Sequence, residues 1–442
     1  MRKSRALVLS IWILVSGCTT APTPPVVPGM QAPEAASGYQ DKPGWHASRF
    51  MVSAAHPLAA DAGSRMLRAG GSAVDAAIAV QMVLTLVEPQ SSGIGGGAFL
   101  MHFDGETVEA YDGRETAPAA AGEDLFKDAD GKTLPFRTAV VGGRAVGVPG
   151  VLHMLALAHK RHGKLPWAEL FAPAIALAED GFPVSPRLHA LLEKDQHLKQ
   201  DPVAAAYFYD SNGRPWPVGH RLRNPDLAAT LREIADGGVS TFYTGAIARA
   251  IVDKVRSHAA NPGLLTMADF SRYRARQRDP VCNAYRKWTV CGMPPPSSGG
   301  IAVAQILGIL EHTPIASLKS EDGQAPAKAI HLFSEAGRLA YADRARYVAD
   351  TDFVPLPGNS PAPLLDTAYL ARRAALIGER SMGTAEAGEP VTRLAARGRD
   401  TAPELPSTSH VSVVDAHGNA LAMTTSIEDA FGARQMVRGF LL

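Results

Sequence analysis

Thr408-Ser409-His410-Val411-Ser412-Val413-Val414-Asp415-Ala416-His417-Gly418-Asn419 followed by Ala420-Leu421-Ala422-Met423-Thr424-Thr425-Ser426-Ile427 reads as a hairpin. Residues 411–415 form one strand, 416–419 supply the turn, and 421–427 return as the second strand. The preceding stretch, 385–403, is polar, charged and poor in large apolar residues, and reads as a flexible linker. Thr408 therefore stands at the mouth of a hairpin, directly after an accessible segment. That layout suits a precursor whose threonine becomes a new N-terminus; on spacing alone the signal is weak, and Thr408 and Ser409 would simply begin a strand.

The chemistry explains why a terminal threonine would matter. A threonine hydroxyl is a poor nucleophile without an adjacent base, and an N-terminal threonine carries one in its free α-amine. With a pKa of about 8, that amine is substantially neutral near physiological pH. It exists only after the Ser407–Thr408 bond is cut. The Thr408 hydroxyl could attack the Ser407 carbonyl, giving an ester by N-to-O acyl shift that water then opens.

Upstream, 53–62, 63–71 and 72–88 read as helices broken by Gly70-Gly71, and the almost wholly apolar 73–87 as buried. Ser91-Ser92-Gly93-Ile94-Gly95-Gly96-Gly97 lacks the Lys-Ser/Thr of a phosphate loop; its glycines imply close backbone approach to a ligand or another strand. A hairpin over 98–111 delivers the chain to Asp112-Gly113-Arg114-Glu115. Arg114, just past a strand end, could grip a carboxylate in a bidentate fork or make a structural salt bridge. No His-Glu-x-x-His or Gly-x-Ser-x-Gly motif competes, and His410 has no nearby acid partner in sequence. Cys282 and Cys291 would face one another across a hairpin turning at Arg286-Lys287, as a disulfide or as two buried thiols.

With 442 residues, 46% of them hydrophobic, the chain can fill one large core or two ordinary ones. A net charge of +1 argues against nucleic acid as a partner, and three cysteines exclude a cysteine-rich metal scaffold. The N-terminus, Met1-Arg2-Lys3-Ser4-Arg5 and then an apolar run to Ser16-Gly17-Cys18, reads as a secretory signal over 1–17. Cleavage before Cys18 and its acylation would leave a proline-rich tether, 18–44, anchoring the protein by lipid to the bacterial outer membrane, facing the periplasm. An ordinary signal with an incidental cysteine is the alternative.

Ser53-Ala54-Ala55-His56-Pro57, Gly70-Gly71-Ser72-Ala73-Val74-Asp75-Ala76-Ala77, the 93–97 glycine loop, Arg114-Glu115-Thr116-Ala117-Pro118, residues 293–300, Tyr341-Ala342-Asp343-Arg344 and the Thr408 segment occur in one order. Together they resemble the γ-glutamyltransferase (glutathione hydrolase) family. The resemblance implies an α+β fold, a four-layer αββα sandwich of the N-terminal nucleophile type. Autocleavage would divide it into a large-subunit region, 45–407, and a small subunit beginning at 408, which stay associated. It implies hydrolysis of the γ-glutamyl bond of glutathione and related compounds, and transfer to amino acids or peptides. By this resemblance Thr408 attacks the γ-carbonyl, Ser426 hydrogen-bonds the nucleophile where many relatives have Thr, Arg114 holds the α-carboxylate, and Glu428 holds the α-amine. No metal or other cofactor is needed. The family's small subunit continues well beyond 35 residues, through Asn-Asn, Asp-Phe, Ser-Ser and Gly-Gly segments. The expectation is thus an incomplete sandwich and a 442-residue chain inactive by itself. Two other readings are a related acylase acting on glutaryl or β-lactam side chains, and a fragment with binding function only.

Overall fold

The computed structural model describes residues 44–320, 323–390, 398, 400 and 407–442. The signal, Cys18 and nearly all of the tether lie outside the described residues, as does most of the 385–403 linker. No described helix is long and apolar enough to cross a membrane.

The strands in chain order are β1 (Met51–Ser53), β2 (Gly97–Phe103), β3 (Val108–Gly113), β4 (Phe182–Pro183), β5 (Arg221–Leu222), β6 (Arg276–Arg278), β7 (Val281–Tyr285), β8 (Trp288–Gly292), β9 (Ser409–Val414), β10 (Ala420–Ser426), β11 (Met436–Val437) and β12 (Phe440–Leu441). One antiparallel sheet of order β1-β9-β10-β2-β3-β6 dominates, and three two-stranded ribbons accompany it. The β9–β10 hairpin is the one read from the sequence. Its turn is tied by Asp415, which accepts from the backbone N–H groups of His417 (2.9 Å) and Asn419 (3.1 Å).

Helices α1 (Pro57–Arg68), α2 (Ala73–Val87), α3 (Phe136–Val140) and α4 (Val151–His162) precede the remaining helical segments. Every residue of α2 is buried, as an apolar 15-residue run requires. Ser72 and Asp75 close a reciprocal cap at its start, and Asp415 also accepts from the Ala73 N–H at 3.2 Å, fixing the helix to the hairpin turn. Along β9, residues 409, 411 and 413 are buried on the helix side of the sheet, whereas 410, 412 and 414 are exposed. The helix expected from 53 begins only at Pro57, with His56 as its cap: residues 51–53 form a strand because their ladder to β9 outweighs local propensity.

The long helix Ala327–Tyr347 belongs to a second apolar cluster with the helices Gly299–Glu311 and Thr367–Ala374. Its Asp343 is buried, accepting from the Gln305 amide, the Tyr369 hydroxyl and the Gly388 N–H. Cys282 and Cys291 stand opposite one another in β7–β8 and are joined by a disulfide.

Candidate active site

The glycine run ahead of β2 is dictated by neighbouring backbone. A Cβ on Gly95 would come within 2.0 Å of the Leu441 carbonyl oxygen, and one on Gly96 within 2.1 Å of that of Ser426. The close approach is thus to strand ends of the same chain. It brings the end of β10 against the start of β2, where Ser426 pairs with Gly97.

Here the structure brings Ser407 and Ser426 together. The Ser426 hydroxyl donates to the Ser407 carbonyl oxygen at 2.9 Å and itself accepts from the Glu428 N–H at 2.8 Å. Ser407 is buried, its own hydroxyl donating to the Gln90 carbonyl at 2.9 Å, while Thr408 is exposed. The Ser407–Thr408 peptide is therefore held on its acyl side, its carbonyl polarised by a hydroxyl whose oxygen is loaded by a backbone donor.

Arg114 and Glu428 also meet: Nη2 of Arg114 lies 2.8 Å from Oε2 of Glu428. The Arg114 backbone is fixed at both ends, its N–H donating to Asp112 Oδ1 (2.9 Å) and its carbonyl accepting from the Tyr273 hydroxyl (2.8 Å). Glu115, 3.5 Å from Nε, and then Glu428 hold the guanidinium above its ordinary pKa, against the effect of burial. Burial pushes the Glu115 carboxyl up, and Arg114 opposes that rise. Gly95, Arg114, Phe126, Arg144, Glu428 and Leu442 line a cleft of about 450 Å³. Arg114 also borders a second, arginine-rich cleft of about 340 Å³ that includes Arg272 and Arg274.

Glu428 has φ +74°, and Phe431, Arg434 and Arg438 also adopt left-handed backbone within the next ten residues. Non-glycine residues hold that conformation only where surroundings impose it. The same segment carries a buried ionic network that was not foreseen from the sequence. Arg434, 1% exposed, donates to Asp429 at 2.7 Å and to Asp195 at 3.1 Å, and Arg137 reaches the same Asp429. The only local signal for it is that Asp429 and Arg434 stand five residues apart among the apolar residues of the closing stretch. His410, by contrast, hydrogen-bonds Thr424 Oγ1 at 2.9 Å, and burial lowers its pKa. Among the described residues the group whose donors cluster as a metal site would is His102, Glu109 and His162, and none of these is a site residue named above.

A family model described as Gamma-glutamyltranspeptidase matches residues 59–442. Glutathione hydrolase proenzyme of Bacillus subtilis (strain 168) is 37% identical over 396 residues, covering 88% of this chain and 66% of the relative. Acylase ACY 1 proenzyme of Pseudomonas sp. (strain V22) is 41% identical over 395 residues, covering 87% and 66%. The chain thus spans 66% of the length of these relatives. Among solved structures, Helicobacter pylori gamma-glutamyltranspeptidase superposes with a TM-score of 0.74 at 31% identity, over 80% of this chain and 99% of that one. Cephalosporin acylase from Bacillus halodurans gives 0.77 at 29% identity, over 91% and 71%. The mixed architecture of sheets and helices matches the N-terminal nucleophile hydrolase fold of these structures.

Proposed function

This chain belongs to the gamma-glutamyltranspeptidase family, and from that premise we propose that it is the precursor of a γ-glutamyl hydrolase and transferase that matures by cleavage between Ser407 and Thr408. The observation that carries the reading is the Arg114–Glu428 pair, 2.8 Å apart, with Glu428 two residues past Ser426 and Arg114 directly after Gly113, which pairs with Ala98 next to the Ser426–Gly97 pair. Opposite charges paired across an open cleft are what a free γ-linked glutamate would separate, its α-carboxylate taking Arg114 and its α-ammonium taking Glu428.

Maturation begins when the Thr408 oxygen adds to the Ser407 carbonyl carbon. The hydroxyl proton leaves to base, the Ser426 hydroxyl steadies the oxygen that gains charge, and collapse breaks the C–N bond to give an ester and a free Thr408 amine. Water then hydrolyses the ester. In turnover that amine takes the Thr408 hydroxyl proton, the oxygen attacks the substrate's γ-carbonyl, and the leaving amine departs protonated. Water or an acceptor amine releases the γ-glutamyl group from the ester. The regions 45–407 and 408–442 would stay together after cleavage, and Cys18 would carry the lipid that tethers the mature protein in the periplasm.

The acylase reading has its own support in the 41% identity to an acylase proenzyme. Intact-mass analysis beside a Thr408→Ala control, then assay against a γ-glutamyl anilide and a glutaryl amide, tests both. Cleavage before Thr408 is the expected result, and where the cleaved protein turns over either substrate, that substrate is the anilide and not the glutaryl amide. Turnover of the glutaryl amide alone would give the site to the acylase chemistry. An uncleaved chain would remove the maturation step.

A further inference from the structure

His102 and Glu109 face one another across the β2–β3 ladder, and the C-terminal turn of α4 brings His162 onto them from a distant part of the sequence. We infer that these three side chains form a site for one divalent first-row cation of the imidazole-preferring kind, Zn²⁺ above all, separate from the candidate active site.

Each residue offers one donor atom, and the three donors lie within 4.8 Å of one another. Tetrahedral zinc with bonds of about 2.0–2.1 Å holds its ligand atoms roughly 3.3 Å apart. Convergence on one ion would require the His102 and His162 rings, now stacked with centroids 3.9 Å apart, to turn out of their stack and the His162–Glu109 contact, 2.7 Å, to open. Two imidazoles and one carboxylate are a set that zinc takes readily, with a position left for water. The carboxylate is already oriented: the Tyr111 hydroxyl donates to Oε2 at 2.6 Å and Arg161 sits 2.5 Å from Oε1. Such outer partners fix ligand direction in metal sites.

A purely structural salt bridge would account for His162 and Glu109 but not for His102. Its ring stacks on His162 with centroids 3.9 Å apart, it is 3% exposed, and its Nδ1 is buried without a hydrogen-bond partner. An orphaned imidazole nitrogen beside a second imidazole and a carboxylate is costly unless something binds there. His102 lies five residues along β2 from Gly97, about 17 Å of strand, so the cation would not touch the nucleophile. It would fasten the far end of α4 to the hairpin. The near end of α4 rests on the glycine loop through the Gly150 N–H and the Gly96 carbonyl, 2.9 Å apart.

The test is titration of metal-free full chain with Co²⁺, reading its visible ligand-field bands, followed by displacement with Zn²⁺. One equivalent is expected, with a rise in melting temperature on adding Zn²⁺. His102→Gln and His162→Gln should each weaken Co²⁺ binding roughly tenfold to a hundredfold or more, with far-ultraviolet dichroism retained, and His46→Gln should leave it unchanged. No stoichiometric binding, or binding indifferent to both histidine variants, overturns the site. Should those variants not fold, anomalous scattering from crystals of the unmodified protein soaked in Zn²⁺ decides. A peak bounded by His102, Glu109 and His162 supports the site, and a peak elsewhere or none refutes it.

Discussion

The Ser426 hydroxyl donates a 2.9 Å hydrogen bond to the carbonyl oxygen of Ser407, so the residue before the proposed cleavage point is polarised from the end of the neighbouring strand. Ser426→Ala should slow appearance of a fragment beginning at Thr408 by roughly a hundredfold, the scale of losing one oxyanion donor. Ser426→Thr, which keeps the hydroxyl, should restore it. Time courses by intact mass check this, and unchanged kinetics in the alanine variant would assign Ser426 a packing role.

Arg114 meets Glu428 through one arm of its fork while Glu115 stands beside the other. Lysine cannot reproduce that planar geometry. Arg114→Lys is expected to weaken binding of L-glutamate to the processed protein roughly tenfold to a hundredfold, the range for hydrogen bonds to charged groups. Calorimetry measures it. Equal affinity in both proteins would mean that the carboxylate is held elsewhere.

Much of this site could be read in advance, because its parts are local. The alternation after Thr408 and the Gly418-Asn419 turn specify a hairpin without help from the rest of the chain. Arg114 follows a strand that ends at a glycine, and its exit into a cleft follows from that. What could not be read is long-range: Arg434 meets Asp195 across 239 positions, and Arg137 meets Asp429 across 292. Nothing in pattern or propensity links such charges. The strand at 51–53 was hidden for the same reason, since three residues become a strand only through their ladder to β9.

Arg434→Met should lower stability by about 3–5 kcal/mol, because Asp195 and Asp429 would be left buried without their shared cation. Equilibrium denaturant unfolding measures the loss. A change below about 1 kcal/mol would show that the network does not support the left-handed turns around it.

Burial pushes the Glu88 carboxyl up to about 7, against Arg187 and the Gln90 amide, which pull it down. The folded state therefore holds this proton more tightly than the unfolded chain does, where the pKa is about 4.3. The group costs nothing below that value, and stability falls as pH rises from about 4.3 to 7, then levels off. Glu88→Gln should remove this fall, so the stability of the variant minus that of the parent climbs across the window by on the order of 3 kcal/mol. A pH-independent difference would contradict it.

The sheet order β1-β9-β10-β2 has a mechanical meaning once the chain is nicked at 407–408. Of the strands described, the piece beginning at Thr408 would own two adjacent interior ones, β9 and β10, laced on one flank to β1 and on the other to β2 of the other piece. Separating the fragments would then require tearing the sheet in two places at once, so dissociation and unfolding become one event. Dilution alone should not part them. The nicked molecule would behave as a first-order object, with a lifetime where a two-component complex would have an affinity.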